Sequence, residues 1–274
     1  MDYHVPSVAA AAQVLKLLSR YRHSNSSLTE IAEALHLNKT TCLRVLRTLE
    51  QEDFLCYDPD TRKYRLGPYL IPLGNRAAEM GDVVSAAIAE LPRVAEDAGL
   101  TVVLVQRLQN QRLIYIASAA PSNEEVRIEV SVGQQFPESR GAFGQCFVAF
   151  ETELESARWT GEGPDRPDHS SHSQRSSRAF ESRLRHIREV GYAVSHGELM
   201  PGFSSIAVPV FNRRRQVELV LACLAVSSQL SPEAVTKTAD ILLDASGRLS
   251  RWYGFDRAER MVKRHSAPVV EGTL

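Results

Sequence analysis

The sequence predicts an α+β chain of two unequal parts. Residues 1–68 form a small unit of three helices and a hairpin. After a helical connector at 69–81, residues 82–256 form a larger unit in which helices and strands alternate, ahead of a polar tail at 257–274. Three observations carry this reading. Apolar residues return at three- and four-residue intervals in three successive segments before residue 52; two short alternating runs follow at once; and beyond residue 100 strand-like and helix-like runs are interleaved. A length of 274 residues suits two compact domains, and 43% apolar with 24% charged residues is ordinary for a globular chain.

Taken in order, Val8 to Arg20 reads as a helix because Ala11, Val14, Leu15 and Leu18 share a face. The polar run His23 to Ser27 breaks it. Ser27 followed by Glu30 has capping-box spacing, which starts a second helix from Leu28 to Leu35. His36-Leu37 makes a tight turn, and Asn38 caps a third helix through about Gln51. Phe54 to Tyr57 and Lys63 to Leu66 then read as hairpin strands around the turn Asp58-Pro59-Asp60-Thr61-Arg62.

In the larger unit, Val83 to Ala98 is helical. Thr101 to Arg107, Leu113 to Ala119 and Glu125 to Val132 read as strands, and Gly141 to Phe150 as a short helix. Thr160 to Ser177 has a loop composition, and Ala179 to Val190 is a basic helix. Strands at Tyr192 to Ser195, Ser205 to Phe211 and Val217 to Val226 precede a last helix from Pro232 to about Tyr253.

Three helices and a hairpin are the order of a winged helix-turn-helix, whose third helix enters the major groove of DNA. At 100° per residue, Cys42, Val45, Leu46 and Leu49 fall within an arc of about 100°. Lys39, Thr40, Leu43, Arg44 and Arg47 occupy nearly the opposite side, and no acid interrupts Asn38 to Leu49. Lys39 and Thr40 start the helix, where amide groups and dipole favour phosphate. Arg44 and Arg47 are long enough for a phosphate or a guanine edge, and Leu43 suits a thymine methyl. Arg62, Lys63 and Arg65 form a second cationic cluster on the hairpin, and Ser27 and Thr29 lie where a phosphate can be met. With a net charge of −1, only such local clustering argues for nucleic acid. A solvated basic helix face and a protein–protein module are the competing readings.

The segments Leu28-Thr29-Glu30-Ile31-Ala32, Thr40-Thr41, Leu46 and Tyr64-Arg65-Leu66-Gly67 closely resemble the DNA-binding domain of IclR-type regulators. Gly133, Phe136-Pro137 and Gly141-Ala142-Phe143-Gly144 are similar to that family's turn into a short helix. Gly191 to Ser195, Glu198, Pro201-Gly202, Ser204 to Ala207 and Pro209-Val210 resemble its most recognisable C-terminal stretch. The resemblance implies a GAF-like effector domain, an antiparallel sheet flanked by helices with a pocket on one sheet face. It also implies double-stranded operator DNA as partner, Thr41 among the DNA contacts, a small organic effector (a carboxylate or aromatic catabolite), and dimers pairing into tetramers. By the same analogy Ala142, Phe143, Glu198, Ser205, Cys223, Ala225 and Ser227 line the pocket, the last three sharing a strand face by alternation. Departures at Phe143, where a small residue is usual, at Gln145, where a lysine is usual, and at Ala225, near which the family often has a hydroxyl or small polar residue, imply an effector that is more apolar or differently shaped than a short keto acid.

Other chemistry finds less support. A hydrolase is the leading alternative, but Ser195 and His196 are strand neighbours that point apart, and no Gly-x-Ser-x-Gly elbow occurs. His169 and His172 with Asp165 and Asp168 lie in a Ser- and Pro-rich loop, a poor frame for structural zinc. Cys42, Cys56, Cys146 and Cys223 show no CxxC spacing and read as free thiols. No phosphate-binding glycine motif occurs, so no cofactor is expected and the chain is read as a non-enzyme. No apolar run is long enough for a membrane span and no export signal precedes the first helix, so a cytosolic chain without membrane contact is expected.

Overall fold

A computed structural model of the chain describes residues 4–79, 82–109, 112–122, 128–138, 141–151, 173–198 and 200–255. The N-terminal unit contains α1 (Pro6–Leu18), the two-residue strand β1 (Ser26–Ser27), α2 (Leu28–Ala34), α3 (Lys39–Gln51), β2 (Leu55–Asp58) and β3 (Lys63–Leu66). The strands pair antiparallel in the order β1-β3-β2, so the expected hairpin gains a third short strand. Helix α2 starts where the capping box predicts. The Glu30 amide donates to Ser27 Oγ at 3.3 Å, and Glu30 Oε2 accepts from the Ser27 amide at 2.7 Å. Asn38 Oδ1 accepts from the Thr40 amide at 2.8 Å and begins α3.

One apolar cluster unites this unit. Val14, Leu17 and Leu18 of α1 meet Ile31 of α2, Cys42, Val45, Leu46 and Leu49 of α3, and Leu55 and Tyr64 of the hairpin. The arc assigned to the inside of α3 is the buried one. Each fully buried Leu or Ile contributes about 1.5–3 kcal/mol relative to exposure, which holds α3 against its neighbours.

Two helices lead onward, α4 (Leu70–Glu79) and α5 (Asp82–Ala98). The larger unit then runs β4 (Thr101–Arg107), β5 (Arg112–Ala119), β6 (Gln135–Pro137), α6 (Gly141–Ala149), α7 (Ser173–Val190), β7 (Ala193–His196), β8 (Phe203–Phe211), β9 (Val217–Val226) and α8 (Pro232–Trp252). Six strands make one antiparallel sheet in the order β6-β5-β4-β9-β8-β7. The central strand β9, Val-Glu-Leu-Val-Leu-Ala-Cys-Leu-Ala-Val, is apolar without alternation because both of its faces are covered.

The two faces have different partners. On one, Val102, Leu104, Ile206, Val208, Leu221, Cys223 and Ala225 pack on α5 and α8. On the other, Val103, Val105, Tyr115, Ala207, Ala222 and Leu224 pack on α6 and α7. All nine residues of α6 are buried.

Three expectations need correction. Of the strand expected at Glu125 to Val132, residues 123–127 lie outside the described residues and 128–132 form no strand. That segment lies across the sheet instead, its Ile128 carbonyl accepting from Thr101 Oγ1 at 3.1 Å, while β6 takes the edge beside β5. Residues 173–177, expected as loop, belong to α7; they contain no Gly or Pro to stop a helix. Cys223 and Ala225, expected in a pocket with Ala142 and Phe143, face the opposite side of the sheet.

Candidate nucleic-acid interface and effector site

Helix α3 carries its cations outward. Lys39, Thr40, Thr41, Arg44 and Arg47 are exposed and Leu43 is half-buried at the edge of the same face. Arg62 and Arg65 are exposed on the hairpin with Lys63 half-buried between them; Thr29 is exposed and Ser27 half-buried. The hairpin tip is built to hold its shape. Asp58 accepts from the Asp60 amide at 3.0 Å and from the Thr61 hydroxyl at 2.6 Å, and Arg62 follows in the left-handed region at φ 54°. Those two hydrogen bonds hold the Asp58 carboxyl below the usual carboxylate range. Ser27 Oγ is engaged in the capping box, where it accepts from the Glu30 amide. The outward face of α3 and the wing are thus two cationic surfaces on one small rigid frame, which is what a duplex groove flanked by phosphates requires.

The expected effector residues do not converge. Ala142 and Phe143 are buried on α6, with Phe143 in an aromatic trio with Tyr115 and Phe136 at centroid separations of 5.9 and 5.5 Å. Ser205 is buried on the same side of the sheet, opposite its cross-strand partner Ser195. Glu198 reaches α6 as well: Gln145 Nε2 donates to Glu198 Oε2 at 3.0 Å, and Arg183 Nη1 of α7 donates to Glu198 Oε1 at 3.0 Å. Ser227 lies past the end of β9, on the far side, where its hydroxyl is 2.9 Å from Ser204 Oγ. Strand alternation does put Cys223 and Ala225 on one face, but the side that face takes cannot be read from period two alone.

The α6 side holds buried polar groups among apolar ones, and one of them is unmatched. Gln145 is 7% exposed and its Oε1 is buried without a hydrogen-bond partner. Ser195 and Ser205 add two buried hydroxyls. Helix α6 itself is held from outside. Arg107 of β4 bridges Glu138 before the helix and Glu151 after it, and stands 4.6 Å over the Phe147 ring. Arg188 Nε donates to the Ala149 carbonyl at the helix end. Gln145 was legible only as a departure from a family pattern, and Ser195 only as part of a family-like stretch; Arg183 carried no signal, since nothing in sequence marks an arginine that closes on a residue fifteen positions away.

The structure also separates the groups of the hydrolase alternative. Ser195 faces α6, whereas His196 faces away and pairs through Nδ1 with Ser204 Oγ at 3.0 Å. Glu198 is engaged by Gln145 and Arg183, so no Ser-His-acid line forms. Burial pushes the Cys146 and Cys223 thiols up, against thiolate chemistry. Among the described residues no group of three or more His, Cys, Asp or Glu is placed to hold a metal. The loop bearing Asp165, Asp168, His169 and His172 lies outside the described residues. No described helix is long and apolar enough to cross a membrane.

A winged helix-turn-helix joined to an antiparallel sheet domain flanked by helices is the architecture of a one-chain DNA-binding regulator. Residues 7–59 match the IclR helix-turn-helix domain, and residues 76–251 match the bacterial transcriptional regulator IclR C-terminal domain. The chain belongs to the IclR family of transcriptional regulators. It is 27% identical over 259 residues to the glycerol operon regulatory protein of Streptomyces griseus, covering 94% of this chain and 100% of that one. Among solved structures, it is similar to an IclR transcriptional regulator from Alicyclobacillus acidocaldarius, with a TM-score of 0.81, 53% identity, and coverage of 92% of this chain and 100% of the other. An IclR homologue from Microbacterium hydrocarbonoxydans, solved in complex with 4-hydroxybenzoate, shares the fold at a TM-score of 0.73 and 18% identity, covering 90% and 99% of the two chains.

Proposed function

We propose that this chain is a cytosolic, non-enzymatic regulator whose affinity for a DNA operator is set by a small organic effector bound against α6. The observation that carries the DNA half is the exposed cationic face formed by Lys39, Thr40, Arg44 and Arg47, with the second cationic cluster on the wing. Anisotropy titration of the full chain with duplexes from its own promoter region tests it. Binding that prefers one such duplex over a scrambled one is expected; indifference to all of them overturns it.

The effector half rests on the polar groups buried on the α6 side. Gln145 Oε1 seeks a donor, Ser195 and Ser205 offer hydroxyls, and Ala142 and Phe143 supply apolar wall. The 4-hydroxybenzoate held by a protein of the same fold supports a small ring or acid as ligand class. Cys223, Ala225 and Ser227 are left out of the site, since they lie on the far face. A thermal-shift screen of small acids, phenols and amides tests this half, because a ligand specific for the folded state raises its apparent stability.

Dimerisation, and pairing of dimers, completes the reading. Tyr69, Ile71 and Leu73 at and before α4 are 52%, 66% and 43% exposed, an apolar surface suited to a second copy. Sedimentation of the full chain checks the assembly. A two-fold arrangement would set the spacing of the two α3 helices, and an effector that alters that spacing alters operator affinity.

A further inference from the structure

A concavity of about 590 Å³ lies between the C-terminal half of α3 and the wing, and Arg47, Glu50, Tyr57 and Arg62 are among its walls. Two of these are guanidiniums, and among the described residues neither forms an ion pair, although Glu50 follows Arg47 by a single helical turn. The walls are also fixed in place. The Tyr57 ring packs on the buried Tyr64 ring at 4.8 Å and keeps 38% of its surface exposed. Arg62 is held at φ 54° by the Asp58 turn, a conformation costly for a residue with a side chain and maintained by the hydrogen bonds around it. A cleft with rigid walls and two unspent cations fits an anion, and its size exceeds that of a lone phosphate. Arg44 is not among the residues of the cleft.

We propose that this cleft seats one sugar–phosphate unit of the DNA backbone, gripped by Arg47 and Arg62 and hydrogen-bonded by the Tyr57 hydroxyl. Glu50, in the same wall, weakens that grip on every duplex alike. The assignment rests on the regulator reading above and divides its labour: Arg47 positions and Arg44 specifies. Glu50 repels any phosphate brought to the cleft, whichever sequence carries it. Its penalty is common to every duplex, so it lowers affinity without changing the preference between sequences.

The test is a salt series of anisotropy titrations with the full chain, on a promoter duplex and on a scrambled one. Tyr57→Phe and Arg62→Gly are expected to weaken both duplexes by the same factor, roughly tenfold. Arg62→Gly also lowers the slope of log affinity against log salt by about one unit. That variant relieves the left-handed strain, so its thermal stability stays equal or rises, and lost binding cannot be laid to unfolding. Glu50→Gln is expected to tighten both duplexes by the same factor and leave their ratio unchanged. An unchanged salt slope in Arg62→Gly, losses confined to the promoter duplex, or no gain in Glu50→Gln would each overturn the assignment. A wild-type chain that ignores both duplexes instead refutes the regulator reading itself.

Discussion

Gln145 donates its amide hydrogen to Glu198 across 3.0 Å, and in doing so leaves its own carbonyl oxygen buried and unmatched. A carboxylate only accepts, so this contact fixes which end of the amide faces Glu198. An unsatisfied buried acceptor costs on the order of 1–3 kcal/mol, a cost that a ligand with a hydroxyl or N–H can remove.

Gln145→Leu is therefore expected to leave the ligand-free chain at least as stable as wild type while abolishing the thermal shift given by any effector found in the screen. Differential scanning fluorimetry reads both quantities at once. A variant that still responds fully would take Gln145 out of the site.

If Arg44 reads a base as proposed, Arg44→Ala is expected to cost about 1–3 kcal/mol of operator affinity while leaving scrambled duplex nearly unaffected; Arg44 is exposed on the outward face of α3. Competition titrations with duplexes altered one base pair at a time would show which position loses its preference.

Asn38→Ala is expected to destabilise α3 by about 1 kcal/mol, since the Asn38 side chain satisfies the Thr40 amide. Urea unfolding followed by circular dichroism measures it. DNA affinity should fall in parallel, because the same turn presents Lys39 and Thr40.

Glu30 supplies a pH dependence. Its hydrogen bonds with the Ser27 backbone and side chain hold its carboxyl below the usual glutamate range. A lowered folded value means that the stabilisation is fully present above the ordinary glutamate range and is lost as pH falls through the lowered value. Acid unfolding curves of Glu30→Gln should lack that component, whereas curves that coincide with wild type would assign it elsewhere.

Gly144→Ala is expected to cost at least about 3 kcal/mol, because a Cβ there would lie 1.6 Å from the Glu138 carbonyl oxygen, a backbone atom that cannot swing aside. Loss of the second unit's cooperative unfolding, with the first unit's retained, is the expected calorimetric result.

The first unit was legible almost residue by residue, for a physical reason: its helices are amphipathic, so the buried arc Cys42-Val45-Leu46-Leu49 and the exposed one opposite it are both written as period. Caps at Ser27 and Asn38 mark boundaries just as locally. The larger unit was legible as elements and illegible as faces. Its strand β9 is apolar on both sides, so nothing in the run Leu219 to Val226 says which alternate set meets α6 and which meets α5. For that reason Cys223 and Ala225 were expected beside α6, whereas they lie on the face covered by α5 and α8. Long-range polar contacts such as Arg183 with Glu198, and Arg107 with Glu138 and Glu151, leave no periodic trace at all.

Helix α6 turns no side to water, and that constrains how the chain could answer a signal. A helix with one wet flank can roll by degrees; one enclosed all round can shift only if its neighbours on the sheet and on α7 give way together. Dose–response behaviour should follow from that enclosure. Each protomer would hold one of two packings rather than drift between them, and intermediate ligand levels would produce mixtures of the two, not a half-moved form.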